Sequence, residues 1–228
     1  MKIKLLLFIA LFIFSVQVFS QGAYRNEISA KMIFNEATGQ FLHDNEFKAL
    51  IENNPQIVFK PVIDRYGHIT SYIFNPSSKD VNSPRDTSDR VKKGEPFPSF
   101  TMKSIHGKEI DSEQLRGKIT LIQFQLQFLK PFFDKQTIDD FNTLVQEINK
   151  TTEVEALIVT ESSKEEIQKQ LGDINYISEI IPDGRNFYEK YLVVHFPSAI
   201  LIDKEGKLVS YFHKNQSTLI KAAIAKIK

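Results

Sequence analysis

The sequence predicts an α/β fold, a central sheet flanked by helices, preceded by a small α+β unit. Three observations support this. Strand-like apolar runs alternate with amphipathic helical stretches in the C-terminal half, a polar segment precedes that half, and an apolar leader opens the chain. We therefore divide the 228 residues into a signal peptide (1–20), an N-terminal unit (21–75), a linker (76–93) and an α/β domain (94–228).

The leader has the parts of a secretory signal peptide. Lys2 and Lys4 form a basic start, an apolar run extends from Leu5 to Phe14, and a small residue, Ser20, ends the segment. The apolar run is too short to span a bilayer. We expect cleavage after Ser20 and a periplasmic or secreted protein with no membrane span.

The composition limits the chemistry that the protein can perform. Of 29 basic residues, Lys2 and Lys4 lie in the leader, so 27 remain against 28 acidic ones. Such a balance gives no positive field to hold nucleic acid. The chain has no cysteine, and its five histidines are scattered singly, so we predict no disulfide, metal or other cofactor.

The N-terminal unit has a short mixed pattern. Its predicted elements are a strand at Ile28–Phe34, a helix capped by Asp44 and ended by Asn54 and Pro55, and two strands at Ile57–Ile63 and Ile69–Phe74 around a turn at Asp64–Gly67. A unit of this size has little core of its own. It either packs on the second unit or presents a surface, and the sequence leaves both open.

The C-terminal unit alternates strands and helices. Its predicted elements are a strand at Lys118–Phe124, a helix from Asp134 to Lys150, a strand at Val154–Thr160, a helix opened by a capping box at Ser162–Glu165, strands at Ala199–Asp203 and Lys207–Phe212, and a helix capped by Ser217. Strand, helix, strand and helix in succession imply a parallel right-handed crossover. With the final hairpin and helix, this is a thioredoxin-type arrangement.

Four stretches of this half carry a family resemblance. They are Gly94–Phe100, the pair His106–Ile110 and Leu115–Lys118, the strand end Leu121–Phe124, and Phe196–Lys207. In this order and spacing they resemble the thioredoxin-like redoxins, which include the alkyl hydroperoxide reductase and thiol-specific antioxidant proteins and the exported thioredoxins of cytochrome maturation. The resemblance covers residues 94–228 and implies a thioredoxin-like fold.

The resemblance fails at the residues that perform the family's chemistry. Redox-active members have Cys-x-x-Cys five residues after the strand that ends in Phe, and here that tetrapeptide is Leu129-Lys130-Pro131-Phe132. Only a thiolate attacks a disulfide or a peroxide, and a helix N-terminus lowers the pKa of the thiol that supplies it. Leucine and phenylalanine offer no such group, so we expect no thiol redox activity.

The replacement segment is rich in aromatic residues. Phe128 precedes the tetrapeptide and Phe133 follows it, so residues 128–133, the degenerate loop, contain three phenylalanines. Exposed rings here would form a docking patch for a protein or peptide. Buried rings would instead seal a site that is no longer used, and the sequence does not decide between these alternatives.

A second segment is placed beside this loop by the resemblance. Pro197 matches the family's cis-proline, which shapes the groove where a substrate peptide docks, so we expect a cis bond between Phe196 and Pro197. His195 lies two residues earlier and has no partner in the sequence. We interpret it as structural or exposed.

The sequence therefore predicts an exported, redox-inactive protein that binds a protein or peptide partner through the degenerate loop, Phe196 and Pro197. The alternative is a redoxin-family oxidoreductase or antioxidant homologue that works through a residue such as Lys130 or His195, or through the thiols of a partner. A purely structural role in an envelope complex is a third possibility.

Overall fold

The computed structural model describes residues 28–55, 57–76, 87–172, 176–214 and 216–227. The predicted signal peptide and cleavage site, and residues 77–86 of the predicted linker, lie outside these ranges. Among the described residues, no helix combines the length and the apolar character that a membrane crossing requires.

The N-terminal unit is a four-stranded sheet with one helix. After a 3-10 turn at Ala30–Met32, its elements are β1 (Ile33–Asn35), β2 (Gln40–Phe41), α1 (Asp44–Asn53), β3 (Lys60–Ile63) and β4 (Ile69–Phe74), and the strand order is β2-β1-β4-β3. Strands β1 and β4 are parallel and the other two pairs antiparallel. Ile33, Phe59 and Tyr72 form a small core on which Phe47 and Leu50 of α1 pack.

The C-terminal domain is built on a five-stranded sheet. A short hairpin of β5 (Thr101–Lys103) and β6 (Glu109–Asp111) leads into β7 (Ile119–Gln125), α2 (Lys135–Asn149), β8 (Val154–Thr160), α3 (Lys164–Leu171), β9 (Glu179–Ile181), α4 (Arg185–Lys190), β10 (Ser198–Ile202), β11 (Leu208–His213) and α5 (Ser217–Ala225). The strand order is β11-β10-β7-β8-β9, with β7, β8 and β9 parallel. This is the predicted thioredoxin-like arrangement.

Both faces of this sheet are covered, as a parallel sheet requires. Leu121 of β7 packs with Phe141 of α2 and Ile220 of α5. Phe124 of the same strand points to the opposite face of the sheet. There it packs with Phe187 of α4 and with Tyr191, which directly follows α4. The strand β7 therefore ends between two filled cores, and the degenerate loop starts at this end.

The two units meet at the turn between β3 and β4, which we call the docking turn (Asp64–Gly67). The Arg65 guanidinium donates to Asp111 Oδ1 at 2.6 Å and to Thr101 Oγ1 at 2.9 Å. From α4, the Lys190 ammonium donates to the carbonyl oxygen of Asp64 at 2.7 Å. Of the two roles left open for the N-terminal unit, the described residues thus show packing on the C-terminal domain.

The predicted elements are largely confirmed, and β8 matches residue for residue. The strand predicted at Ile28–Phe34 was wrong over its first part, because a 3-10 turn precedes a strand that begins at Ile33. The strand predicted at Ile57–Ile63 was also too long, since it begins at Lys60.

Three cap predictions were displaced by one residue. The N-cap positions are His43 for α1, Ser163 with Glu166 for α3, and Gln216 for α5, where Asp44, Ser162 with Glu165, and Ser217 were predicted. The Gln216 side chain makes no capping hydrogen bond. Adjacent polar residues make this error easy, since each can serve as a cap.

Candidate functional site

The degenerate loop forms a tight turn between β7 and α2. The backbone N–H groups of Phe132 and Phe133 donate to the carbonyl oxygen of Leu129 at 2.9 and 3.0 Å. Helix α2 begins only at Lys135, where the Asp134 carboxylate accepts a hydrogen bond from the Gln136 N–H at 3.1 Å. The tetrapeptide that replaces Cys-x-x-Cys therefore precedes the helix, and an acidic side chain already caps the helix N-terminus.

The three phenylalanines of the loop do not share one environment. Phe128 and Phe133 are buried in the core, with ring centroids 4.6 Å apart and planes nearly parallel. Phe132 leaves 52% of its surface exposed. Lys130 and Pro131 are exposed and Leu129 is half-buried. Phe128 and Phe133 therefore fit the alternative of buried rings, and Phe132 fits the alternative of an exposed ring.

Buried polar side chains fix the loop backbone. The Gln125 amide donates to the carbonyl oxygen of Phe132 at 2.7 Å. The Ser162 hydroxyl accepts from the N–H of Phe128 at 2.9 Å. Glutamine at the end of an apolar strand is the only sequence signal for this anchor, and the sequence analysis missed it.

Tyr188 of α4 holds the start of the loop from the opposite side of the sheet. Its hydroxyl donates to the carbonyl oxygen of Gln125 at 2.8 Å. Burial raises the pKa of this phenol well above its usual range, so it stays a hydrogen-bond donor. The same ring contacts Phe196, with centroids 4.9 Å apart.

The Phe196–Pro197 bond is cis, as predicted, and the Lys130–Pro131 bond is also cis, which was not predicted. Ser198 pairs with Phe124 across β10 and β7. This register places Pro197 at the end of β7 from which the degenerate loop begins. The predicted site residues of the two segments thus lie at the same end of the sheet.

His195 has a neighbour that the sequence did not indicate. Its ring lies edge-on to that of His213, with centroids 5.3 Å apart, and both residues are exposed. Partial burial lowers the pKa of His213, and the nearby charges of His195 and Arg90 lower it further. Within the described ranges, no group of three metal-ligating side chains is found.

Comparison with known proteins identifies the C-terminal domain. The AhpC/TSA family matches residues 93–211, slightly more than half of the chain. No curated protein sequence matches this chain.

Several solved structures are similar to part of this chain. A protein from Chlorobium tepidum described as a thiol:disulfide interchange protein DsbE is 16% identical, with a TM-score of 0.52 over 60% of this chain and 98% of its own. A protein from Bacteroides thetaiotaomicron described as a protein disulfide isomerase is 19% identical, with a TM-score of 0.49 over 60% of this chain and 90% of its own. The exposed lipoprotein thioredoxin Etrx1 of Streptococcus pneumoniae is 20% identical, with a TM-score of 0.45 over 56% of this chain and 96% of its own. The likeness to the first of these shows a shared fold.

Proposed function

Because the chain belongs to the AhpC/TSA family and contains no cysteine, we propose that it is an exported, redox-inactive protein that binds a protein or peptide partner. The proposed binding surface is the degenerate loop together with Phe196 and Pro197. The export part rests on the leader sequence, and the redox part rests on the absence of any thiol.

The observation that carries the binding proposal is the exposed ring of Phe132 on an anchored backbone. The loop buries two of its three phenylalanines and still leaves 52% of Phe132 in solvent. The Gln125 amide and the turn hydrogen bond to Leu129 hold the Phe132 backbone in place. An aromatic side chain presented in this way loses little conformational entropy on binding, which is a property of interface hot spots.

The surroundings of Phe132 suit a peptide. Leu129 and Phe196 are half-buried, so each still offers apolar surface, and the exposed ammonium of Lys130 adds a positive charge at the rim. An apolar centre with a polar rim is the usual composition of a protein interface. The partner we expect is therefore a segment with an apolar side chain next to an acidic one.

A displayed random-peptide library panned on the purified protein tests the proposal. We expect enriched peptides to lose at least tenfold in affinity for Phe132→Ser and to keep their affinity for Phe41→Ser. Phe41 is the matched control because it is also a phenylalanine and is 50% exposed, but lies on β2. Equal losses for both variants, or no enrichment, would contradict the proposed surface.

Two further measurements test the other parts of the proposal. Mass spectrometry of the native protein should find a chain that begins at Gln21, and a chain still carrying Met1 would contradict export. A coupled disulfide-reduction assay should show no turnover above background. Turnover with contaminating oxidoreductases excluded would favour the alternative in which a non-cysteine residue or a partner's thiols perform the chemistry.

A further inference from the structure

A cleft separate from the degenerate loop lies between helices α2 and α5. Its volume is about 310 Å³, which is within the range of small-molecule sites. Its apolar lining includes Phe141 and Leu144 of α2 and Ile220 of α5. Pro197 is the only residue that this cleft shares with the proposed docking surface.

One side chain of the cleft is polar, buried and without a partner. Gln123 of β7 is only 8% exposed, and its Nε2 has no hydrogen-bond partner among the described residues. Leaving such a donor unsatisfied destabilises the folded protein. This Nε2 is closed to solvent, so a ligand would satisfy the donor once the Gln123 carboxamide turns its N–H groups toward the cleft.

The cleft also contains an uncapped helix N-terminus. Gln216 and Ser217, at the start of α5, line it. Gln216 does not cap the helix, because its Oε1 accepts from the N–H of His213 at 3.1 Å instead. The first-turn N–H groups of a helix carry partial positive charge and favour an anion.

The charged side chains of the cleft limit the negative charge that a ligand can carry, because two lysines and two carboxylates line it. Lys221 is neutralised by an ion pair with Glu147. Lys214 has no ion-pair partner among the described residues, so its positive charge remains available. Asp140 on α2 is also part of the lining, and its carboxylate disfavours a second negative charge in the cleft.

From these observations we propose that the cleft between α2 and α5 binds a small monocarboxylate with an apolar body. The carboxylate is received by the Gln123 carboxamide, the N-terminus of α5 and Lys214. The apolar body packs between Phe141 and Ile220. This inference does not depend on the docking role of Phe132.

Titration of the full mature protein with 3-phenylpropionate, followed by calorimetry and by NMR shift mapping, tests the proposal. We expect saturable binding with shifts confined to α2, α5 and the start of β10. The uncharged 3-phenylpropionamide and the ring-free acetate should each bind at least tenfold more weakly. Inorganic phosphate, which carries more negative charge, should also bind more weakly than 3-phenylpropionate.

Variants separate this site from the docking surface. Gln123→Leu keeps the approximate size of the side chain and removes the donor, and we expect it to weaken 3-phenylpropionate binding about tenfold. Lys214→Gln should weaken it severalfold without any effect on the core, because Lys214 is exposed. Phe132→Ser should leave it unchanged. Equal affinity for the acid and the amide, shifts outside the cleft, or no saturation at millimolar concentration would each overturn the proposal.

Discussion

The degenerate loop and the docking turn are both short turns anchored by α4, and they differ in the contacts that their side chains make. On the docking turn, the carbonyl oxygen of Gly67 accepts from the Asn186 side chain at 2.8 Å, and Arg65 is bonded to the C-terminal domain. On the degenerate loop, Tyr188 bonds the backbone but Phe132 remains in solvent. The docking turn also exposes a ring, that of Tyr66, but this ring lies beside His68 and Arg65. Among the described residues Phe132 has no such ring or cation contact, so its exposed surface is the one better suited to an external partner.

The largest effect is expected where the degenerate loop enters the core. Phe128→Ala removes a fully buried ring and should lower the free energy of unfolding by about 3–5 kcal/mol. Phe132→Ala, four residues later, should change it by no more than about 0.5 kcal/mol. Denaturant melts of the two variants measure the difference. Similar losses would mean that both rings act as core residues and would remove the basis of the docking proposal.

The next effect tests the docking turn. Gly67 has a φ of +83°, and an added Cβ would lie 3.0 Å from the ring of Phe187, whereas Gly39 has a φ of +69° with nothing within 4 Å. We expect Gly67→Ala to lower the free energy of unfolding by about 2–3 kcal/mol and Gly39→Ala to lower it by about 1 kcal/mol. Both substitutions place an alanine at a positive φ, and only Gly67→Ala also displaces the ring of Phe187. Thermal melts give the comparison, and equal costs would show that the turn does not depend on close contact with α4.

A smaller effect separates two tyrosines at this end of the domain. Tyr188→Phe removes the hydrogen bond to Gln125 and should lower stability by about 1 kcal/mol, while Tyr191→Phe removes a buried hydroxyl without a partner among the described residues and should raise it by up to about 1 kcal/mol. In urea melts at neutral pH, the midpoint of Tyr188→Phe should therefore be lower than that of the unmodified protein, and the midpoint of Tyr191→Phe should be higher. Two midpoints shifted in the same direction would contradict the assigned hydrogen bonding.

The same pair predicts a dependence on pH. Burial raises the pKa of both phenols, so above about pH 10 the unfolded chain loses protons that the folded chain keeps. The resulting stability is fully present below pH 10 and decreases as the pH rises further. Melts at pH 7 and pH 10.5 should show a smaller alkaline loss for Tyr191→Phe than for the unmodified protein.

The smallest effect on stability concerns the lost chemistry. In the double variant Leu129→Cys, Phe132→Cys, the turn hydrogen bond between these residues brings their Cα atoms within about 7 Å, close enough for a disulfide. We expect a reversible disulfide under mild oxidation, detected by mass, with the Leu129→Cys single variant as control. Two thiols that do not pair would contradict the alignment of residues 129–132 with Cys-x-x-Cys.

The parts of the fold that could be predicted are those that local sequence determines. Strand β8 is an apolar run buried along nearly its whole length. A run of this kind predicts a buried strand from its own residues alone. Helix α4 has six residues and no side-chain cap, so neither its periodicity nor its ends were visible. The contact of Arg65 with Asp111 joins residues 46 positions apart, and no local pattern reports such a pairing.

The candidate site was predictable in location but not in orientation. The position of the degenerate loop followed from the family resemblance, which places the active-site tetrapeptide five residues after Phe124. Which of its phenylalanines turn inward depends on Ser162 and Gln125, which bond the loop from neighbouring segments. One sequence without its tertiary contacts cannot assign these directions.

The Asp134 cap at the start of α2 bears on whether thiols placed in the degenerate loop could become reactive. Cysteines at these positions would supply sulfur atoms without the helix N-terminus, because they would precede α2 and the Asp134 carboxylate already accepts from one of its first-turn N–H groups. A thiol without that help keeps an ordinary pKa and reacts slowly at neutral pH. Cysteines at positions 129 and 132 would therefore gain little activity unless α2 also began earlier in the chain.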